Sequence, residues 1–220
     1  MSEAQYVVAM CDVLGFSNLI RTQPLDLVLT RYRSLREQAR AFQMQGYTPG
    51  MAQAINVVDC VIFSDTVLFW APADGAPDVL PMLLCFLVAK TLAEMPLRIG
   101  LAFGSCVIDP VNDIFIGVPI VDAYETESMQ EWVGGAYHDS CEHLPGFLEW
   151  LCNKGTAVQY PVPVKPSARR QLRYALNWPL CASAFGDVQS TLRQREAEAE
   201  QPEQRRKWRE AQQFYASWPV

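Results

Sequence analysis

The chain has 220 residues, 18 Lys and Arg against 24 Asp and Glu, a formal net charge of −6 and 50% hydrophobic content. That length suits one domain with an appendage, and a mean hydropathy of +0.01 excludes a disordered or low-complexity chain. A pI near 5.0 argues against a general nucleic-acid binder. The longest apolar run, residues 79–89, is interrupted by Pro81 and falls short of membrane-spanning length, so no membrane partner is expected. The opening Met1-Ser2-Glu3-Ala4-Gln5 is acidic and polar, unlike a signal peptide. The seven cysteines are scattered and mostly sit inside apolar runs, with neither metal-ligand spacing nor a pairing framework. Reduced core thiols in a cytoplasmic protein are the expectation.

In chain order, residues 6–11 read as a buried strand that runs into a turn at Gly15. A helix is predicted next, with Thr22 as N-cap and Pro24 in its first turn; Leu25, Val28, Leu29, Tyr32, Leu35 and Phe42 recur at helical spacing. Gly46-Tyr-Thr-Pro-Gly50 breaks it. Residues 54–58 and 61–70 predict a hairpin with its turn near Asp59-Cys60, and an apolar helix follows over residues 78–95. Residues 97–108 predict a strand, Asp109-Pro-Val-Asn-Asp113 a turn, residues 114–116 a strand, and Gly117-Val118-Pro119 the start of a helix reaching Gln130. A strand over 132–137, a helix over 141–152 and a strand over 156–160 complete the pattern. Composition then shifts. Pro161, Pro163 and Pro166 mark an extended segment, and an Arg/Glu-rich helical tail covers residues 190–217, with Trp208, Phe214, Tyr215 and Trp218 positioned to dock its end. The order predicts an α+β fold, helices on a mainly antiparallel sheet, organised as a unit over 1–160 and a linker with tail over 161–220.

Two aspartates interrupt apolar strands, Asp12 and Asp65. Burying either is costly unless compensated, and two on neighbouring strands repel unless a divalent cation joins them; taken singly, each also reads as a strand end or turn cap. Gly15-Phe16-Ser17 leads into a helix with free backbone N–H groups that suit phosphate oxygens. Arg98, on an otherwise apolar strand, either faces solvent at an edge or seeks an anion. His138 and His143 have no third ligand in frame and read as surface or loop histidines.

Together these pieces resemble the catalytic domain of class III nucleotide cyclases. Cys11-Asp12-Val13-Leu14-Gly15-Phe16-Ser17 is similar to their first metal-binding signature, Phe63-Ser64-Asp65-Thr66 to the second, in which Gly-Asp sits in a hairpin, and Leu97-Arg98-Ile99-Gly100 to their Arg-x-Gly strand; Gly117-Val118-Pro119 resembles the start of the following helix. The resemblance implies a ferredoxin-like core in which Asp12, the Val13 carbonyl and Asp65 hold two Mn2+ or Mg2+ ions per site. Gly15 and Phe16 would cradle phosphates, and Arg98 would reach the triphosphate. The implied reaction is attack of the ribose 3′-oxygen on the α-phosphorus, with diphosphate leaving.

The departures from that pattern are specific. Where purine cyclases carry a lysine and an acidic residue that read adenine, this chain has Val61 and Ile114; where they carry a ribose-positioning asparagine and a transition-state arginine, it has Val121 and Glu125. Neither apolar side chain makes the hydrogen bonds that distinguish purines. The segment Ala123-Tyr124-Glu125-Thr126-Glu127-Ser128-Met129-Gln130-Glu131-Trp132-Val133-Gly134 resembles one from the pyrimidine (uridylate and cytidylate) cyclases of the Pycsar anti-phage system. That resemblance implies a uridylate cyclase making cyclic UMP as a second messenger for a separate effector. It also implies a homodimer with composite sites, to which Tyr124 and Glu125 contribute substrate contacts from the other subunit. The alternatives are a cytidylate or purine cyclase, or a catalytically silent nucleotide-binding dimer of the same fold. Two retained aspartates beside Arg98 favour activity, because an unneutralised carboxylate pair destabilises its fold.

Overall fold

The computed structural model describes residues 3–45 and 58–218. Its central strand, β1 (Ala4–Val13), buries Val7, Val8, Ala9 and Cys11, which places it between covered faces rather than at an edge. The remaining strands are β2 (Asp59–Phe63), β3 (Thr66–Pro72), β4 (Leu97–Asp109), β5 (Ile114–Gly117), β6 (Gly134–Tyr137), β7 (Ala157–Gln159) and β8 (Tyr174–Leu176). They form an eight-stranded sheet in the order β2-β3-β1-β4-β6-β8-β7, with β5 folded back on β4. β1 pairs antiparallel with both β3 and β4, and β4 pairs parallel with β6. The predicted α+β architecture, a mainly antiparallel sheet with packed helices, is the one observed.

The helices are α1 (Phe16–Thr22), α2 (Leu25–Gln45), α3 (Val79–Thr91), α4 (Val118–Met129), α5 (Phe147–Asn153), α6 (Val188–Glu198) and α7 (Pro202–Ser217). α3 buries Leu80, Leu83, Leu84, Leu87 and Val88, so it is apolar nearly all round and lies inside the larger core. α4 takes the other face and crosses β4 at Gly100, where any Cβ would overlap the Ala123 carbonyl and the Glu127 amide. A smaller apolar cluster, Val8, Leu68, Trp70, Ala102, Cys106 and Ala123, forms on that face. Among the described residues, no helix is long and apolar enough to cross a membrane.

Several boundaries differ from expectation for local reasons. The first helix is two: Thr22 ends α1, donating its hydroxyl to the Asn18 carbonyl at 2.8 Å, and Pro24 precedes α2. Gln23, forced into an extended conformation (φ −111°, ψ 148°) before that proline, separates them. The hairpin turn is Ser64-Asp65, because Phe63 pairs with Thr66; Asp59 and Cys60 lie inside β2, and residues 54–57 fall outside the described residues. Ser64 adopts φ 55°, the positive value that tight hairpin turns require and that glycine adopts at no steric cost. α3 stops at Thr91, short of Met95. The helix expected over 141–152 is a 3-10 turn (Asp139–His143) followed by α5, divided at Pro145-Gly146, with Gly146 at φ 69°.

The tail is also two helices, with Pro202 opening the second. Its end docks as the aromatic spacing suggested. Phe214 is buried with ring centroids 4.9 Å from Trp132, 4.7 Å from Tyr160 and 6.3 Å from Trp178. The sheet itself continues past residue 160, since β8 lies between β6 and β7.

Candidate active site

Strand register brings the singled-out residues to one end of the sheet. Asp12 lies opposite Thr66 on β3 and opposite Arg98 on β4. The Val13 amide donates to the Asp65 carbonyl at 3.0 Å, which fastens the β2–β3 turn to the end of β1. Gly15, at φ 76°, then turns the chain into α1. Asp12, Asp65 and the Gly15-Phe16 backbone therefore share a corner, with Arg98 beside them.

The electrostatics of that corner are unfavourable to negative charge. The Asp12 carboxyl pKa is raised, first by burial; Arg98 opposes the shift and the Asp65 charge adds to it. Arg98 is 9% exposed on a central strand, so the edge-facing alternative does not apply. Its Nη2 donates to Asp12 Oδ2 at 3.1 Å, its Nε to Glu127 Oε1 at 2.5 Å and its Nη1 to the Gln130 carbonyl at 3.4 Å. Three of its five N–H groups are engaged in these contacts, and exchange of Asp12 for a phosphate oxygen would turn one of them to a ligand.

Glu127 is the site residue that the sequence did not single out. It is 4% exposed, and burial, opposed by Arg98 and reinforced by Asp12, pushes its carboxyl up to about 7. The available signal was its place on the inward face of α4: Pro119, Ala123, Thr126 and Glu127 recur at helical spacing and are all buried. An acidic residue on such a stripe needs a cation, and Arg98 supplies it.

Most of the segment that follows is structural. Gln130 Nε2 donates to the Ile99 and Thr126 carbonyls, both at 2.8 Å, and its Oε1 accepts from Trp132 Nε1 at 2.7 Å. Tyr124, 57% exposed, and Glu125 stand on the outer side of α4, and no hydrogen bond or ion pair joins either to Asp12, Asp65 or Arg98. Val61 packs at the rim of the smaller apolar cluster, and Ile114 is half-buried at the start of β5. His138 differs from expectation. It is buried, its Nδ1 lies 2.9 Å from the Ser140 hydroxyl, and its Nε2 meets Arg170, whereas His143 is exposed.

Among the described residues, no group of three or more His, Cys, Asp and Glu side chains gathers as a metal site. Two carboxylates with a backbone carbonyl nonetheless fit a hard divalent cation that takes its remaining ligands from water and substrate phosphates. Burial, with a smaller contribution from the Asp65 charge, raises the Asp12 pKa, and a bound cation would offset both.

Neither a family model nor a curated protein sequence matches the chain. Solved structures do. The guanylate cyclase domain of RhGC from Catenaria anguillulae, in complex with GTP, superposes with a TM-score of 0.53 at 16% identity, over 80% of this chain and 98% of that one. The catalytic core of a rhodopsin-guanylyl cyclase with converted specificity, in complex with ATPαS, gives 0.54 at 18% identity, over 80% and 97%. The adenylyl cyclase CyaB from P. aeruginosa gives 0.51 at 14% identity, over 80% and 94%. The fold is that of class III nucleotide cyclase catalytic domains.

Proposed function

We propose that this protein is a nucleotide cyclase that converts a pyrimidine triphosphate, UTP ahead of CTP, into its 3′,5′-cyclic monophosphate and diphosphate. The observation that carries the reading is the corner itself: one carboxylate near the end of β1 and one in the β2–β3 turn fastened to it, beside a glycine turn, within a fold shared with adenylyl and guanylyl cyclases. In the reaction the ribose 3′-oxygen bonds to the α-phosphorus as the α–β phosphoanhydride bond breaks, and the hydroxyl proton passes through solvent to the departing diphosphate. Asp12, the Val13 carbonyl and Asp65 are the residues that would hold Mn2+ or Mg2+. When bound, the cations acidify the attacking hydroxyl and neutralise the leaving diphosphate.

The backbone at Gly15 and Phe16 orients phosphate oxygens. Arg98 would turn a guanidinium edge to the triphosphate in place of Asp12, while Glu127 keeps its Nε in place. The base preference rests on Val61 and Ile114, which offer no hydrogen bond to a purine edge, and on the Tyr124–Gly134 segment. The same segment supports a second-messenger role in anti-phage defence, with the product acting on a separate effector.

The site is composite in this reading. α4 exposes Val118, Val121 and Tyr124, three residues apart along one side, next to exposed Ile116 on β5. Such an apolar row suits the face of a second copy, which would bring Tyr124 and Glu125 to the partner's nucleotide. Incubation with each of the four ribonucleoside triphosphates and Mn2+, followed by resolution of cyclic products, tests the function. Cyclic UMP in excess is expected. Cyclic AMP or cyclic GMP as the main product would remove the pyrimidine assignment, and no cyclic product at all would leave a silent nucleotide-binding dimer.

A further inference from the structure

A half-buried cation on the C-terminal helix points at the same corner. A cavity of about 400 Å3, within the usual range for small-molecule sites, separates the β1–α1 turn from the tail. Leu14, Gly15 and Val133 form one wall, and Gln204, Lys207 and Trp208 the other. The sheet-side wall adjoins the catalytic corner: Leu14 follows Asp12 by two residues, and Val133 precedes Gly134, the register partner of Arg98.

Lys207 is set apart from its neighbours on α7. Arg205 donates to the Ala199 carbonyl, Arg206 to Glu131 at 2.7 Å, and Arg209 to Glu196 at 2.9 Å, whereas Lys207 has no hydrogen bond or ion pair among the described residues. It lies within electrostatic reach of both Asp12 and Arg98, and its ammonium pKa is pushed down, first by burial and then by the Arg98 charge. Glu131 and Glu203 oppose that shift without cancelling it, so a half-buried lysine near an arginine remains costly, and a bound polyanion lowers that cost. Its position is fixed rather than incidental, because the Phe214 wedge and the Arg206–Glu131 pair lock α7 on the body. α4, in contrast, carries no lysine or arginine, and Arg98 keeps Glu127 as a partner even where it exchanges Asp12 for phosphate.

We propose that Lys207 is a polyphosphate-binding residue of the Asp12–Asp65 site, supplied in cis by the C-terminal helix. This deepens the cyclase reading and rests on it for the identity of the nucleotide, but not for the binding of a phosphate chain. The strongly charged tail then has a function besides solvation: it closes one side of the substrate pocket.

The test is calorimetric titration of the full-length protein with inorganic tripolyphosphate and Mg2+, alongside steady-state kinetics. Lys207→Met is expected to weaken tripolyphosphate binding at least about tenfold, the loss expected of one charge-assisted contact. It should raise KM for the cyclised nucleotide with a smaller change in kcat and no fall in thermal midpoint. Lys207→Arg should restore binding to within about threefold, since it keeps the charge. If Lys207→Met folds poorly, Lys207→Gln, which retains part of the stem and a polar end, is read in its place. Tripolyphosphate binding unchanged by the substitution, or absent from the wild-type protein, overturns the proposal. Lysine-dependent tripolyphosphate binding in a protein that cyclises none of the four nucleotides would instead overturn the cyclase reading and leave this one standing.

Discussion

At the residue scale, the charge state of the corner is decided by two carboxyls that share one guanidinium, Asp12 and Glu127. Glu127 is the deeper of the two. Its folded carboxyl pKa of about 7 lies above the ordinary value of 4.5, so the folded protein holds a proton that the unfolded chain has already released. The Glu127 contribution to the stability of the metal-free protein should therefore be fully present below about 4.5 and be lost, to the extent of about 1–3 kcal/mol, as pH rises through 7. In Glu127→Gln that slope should flatten; denaturant titrations at pH 5 and pH 7.5 measure both slopes, and equal slopes in the two proteins would contradict the assignment. Asp12 is shifted in the same direction. Asp12→Asn is expected to lower cyclic-product formation at least about 100-fold, because charge stabilisation by a metal is worth several kcal/mol. Its thermal midpoint should equal or slightly exceed that of the metal-free parent, since a disfavoured charge is gone. Wild-type turnover in this variant would refute the metal assignment. The sequence displayed Asp12, Asp65 and Arg98 because each is a charge within an apolar run, although Asp65 proves to lie in the turn between two strands. The resemblance matched Glu127 within the Ala123–Gly134 segment but gave it no role, because its burial against Arg98 emerges only once the helix face is known.

At the element scale, α4 is both the packing partner of β4 and the support of the site. Its closest approach is at Gly100, where backbone meets backbone and no side chain fits. Gly100→Ala must push α4 off the sheet, and with it Glu127 and the Gln130 carbonyl that hold Arg98. A loss of about 3 kcal/mol or more is expected, at or beyond the upper end for overpacking, read as a depressed thermal midpoint or loss of soluble protein. Little change in either would mean that α4 can shift freely. The Arg-x-Gly spacing was legible in the sequence, but the reason for the glycine was not, since it depends on a helix that arrives 18 residues later as α4 begins at Val118. β8 escaped for a different reason. Three residues, Tyr174-Ala175-Leu176, are too few for period-two alternation to register, and only pairing with β6 and β7 defines them as a strand. Likewise the hairpin turn lay five residues from where composition put it, because Ser64 takes a positive φ with no glycine to announce it.

At the scale of the whole molecule, the proposed composite site leaves each chain with only part of the nucleotide contacts. Asp12, Asp65 and Arg98 converge, while Tyr124 and Glu125 stand outward on α4, beside the exposed row formed by Ile116, Val118 and Val121. A two-fold dimer through that row would set the Asp12 corner of one copy against Tyr124 and Glu125 of the other, so each site would need both chains. Complementation tests this without knowledge of the interface. Asp12→Asn protein and Tyr124→Ala/Glu125→Ala protein should each be inactive alone. Mixed at equal amounts and allowed to exchange, half of the dimers carry one of each, and in those dimers one of two sites is intact. Activity should therefore return to about 25% of wild type, the statistical value for exchange across a two-fold interface. Specific activity of the wild-type protein should also fall on dilution as the dimer dissociates. Failure of the mixture to regain activity, with dimer exchange verified by labelled subunits, would place every residue of the site in one chain. Tyr124 and Glu125 would then be surface residues of α4, and the polyphosphate contact supplied by α7 would have to be joined by a base contact from the same chain.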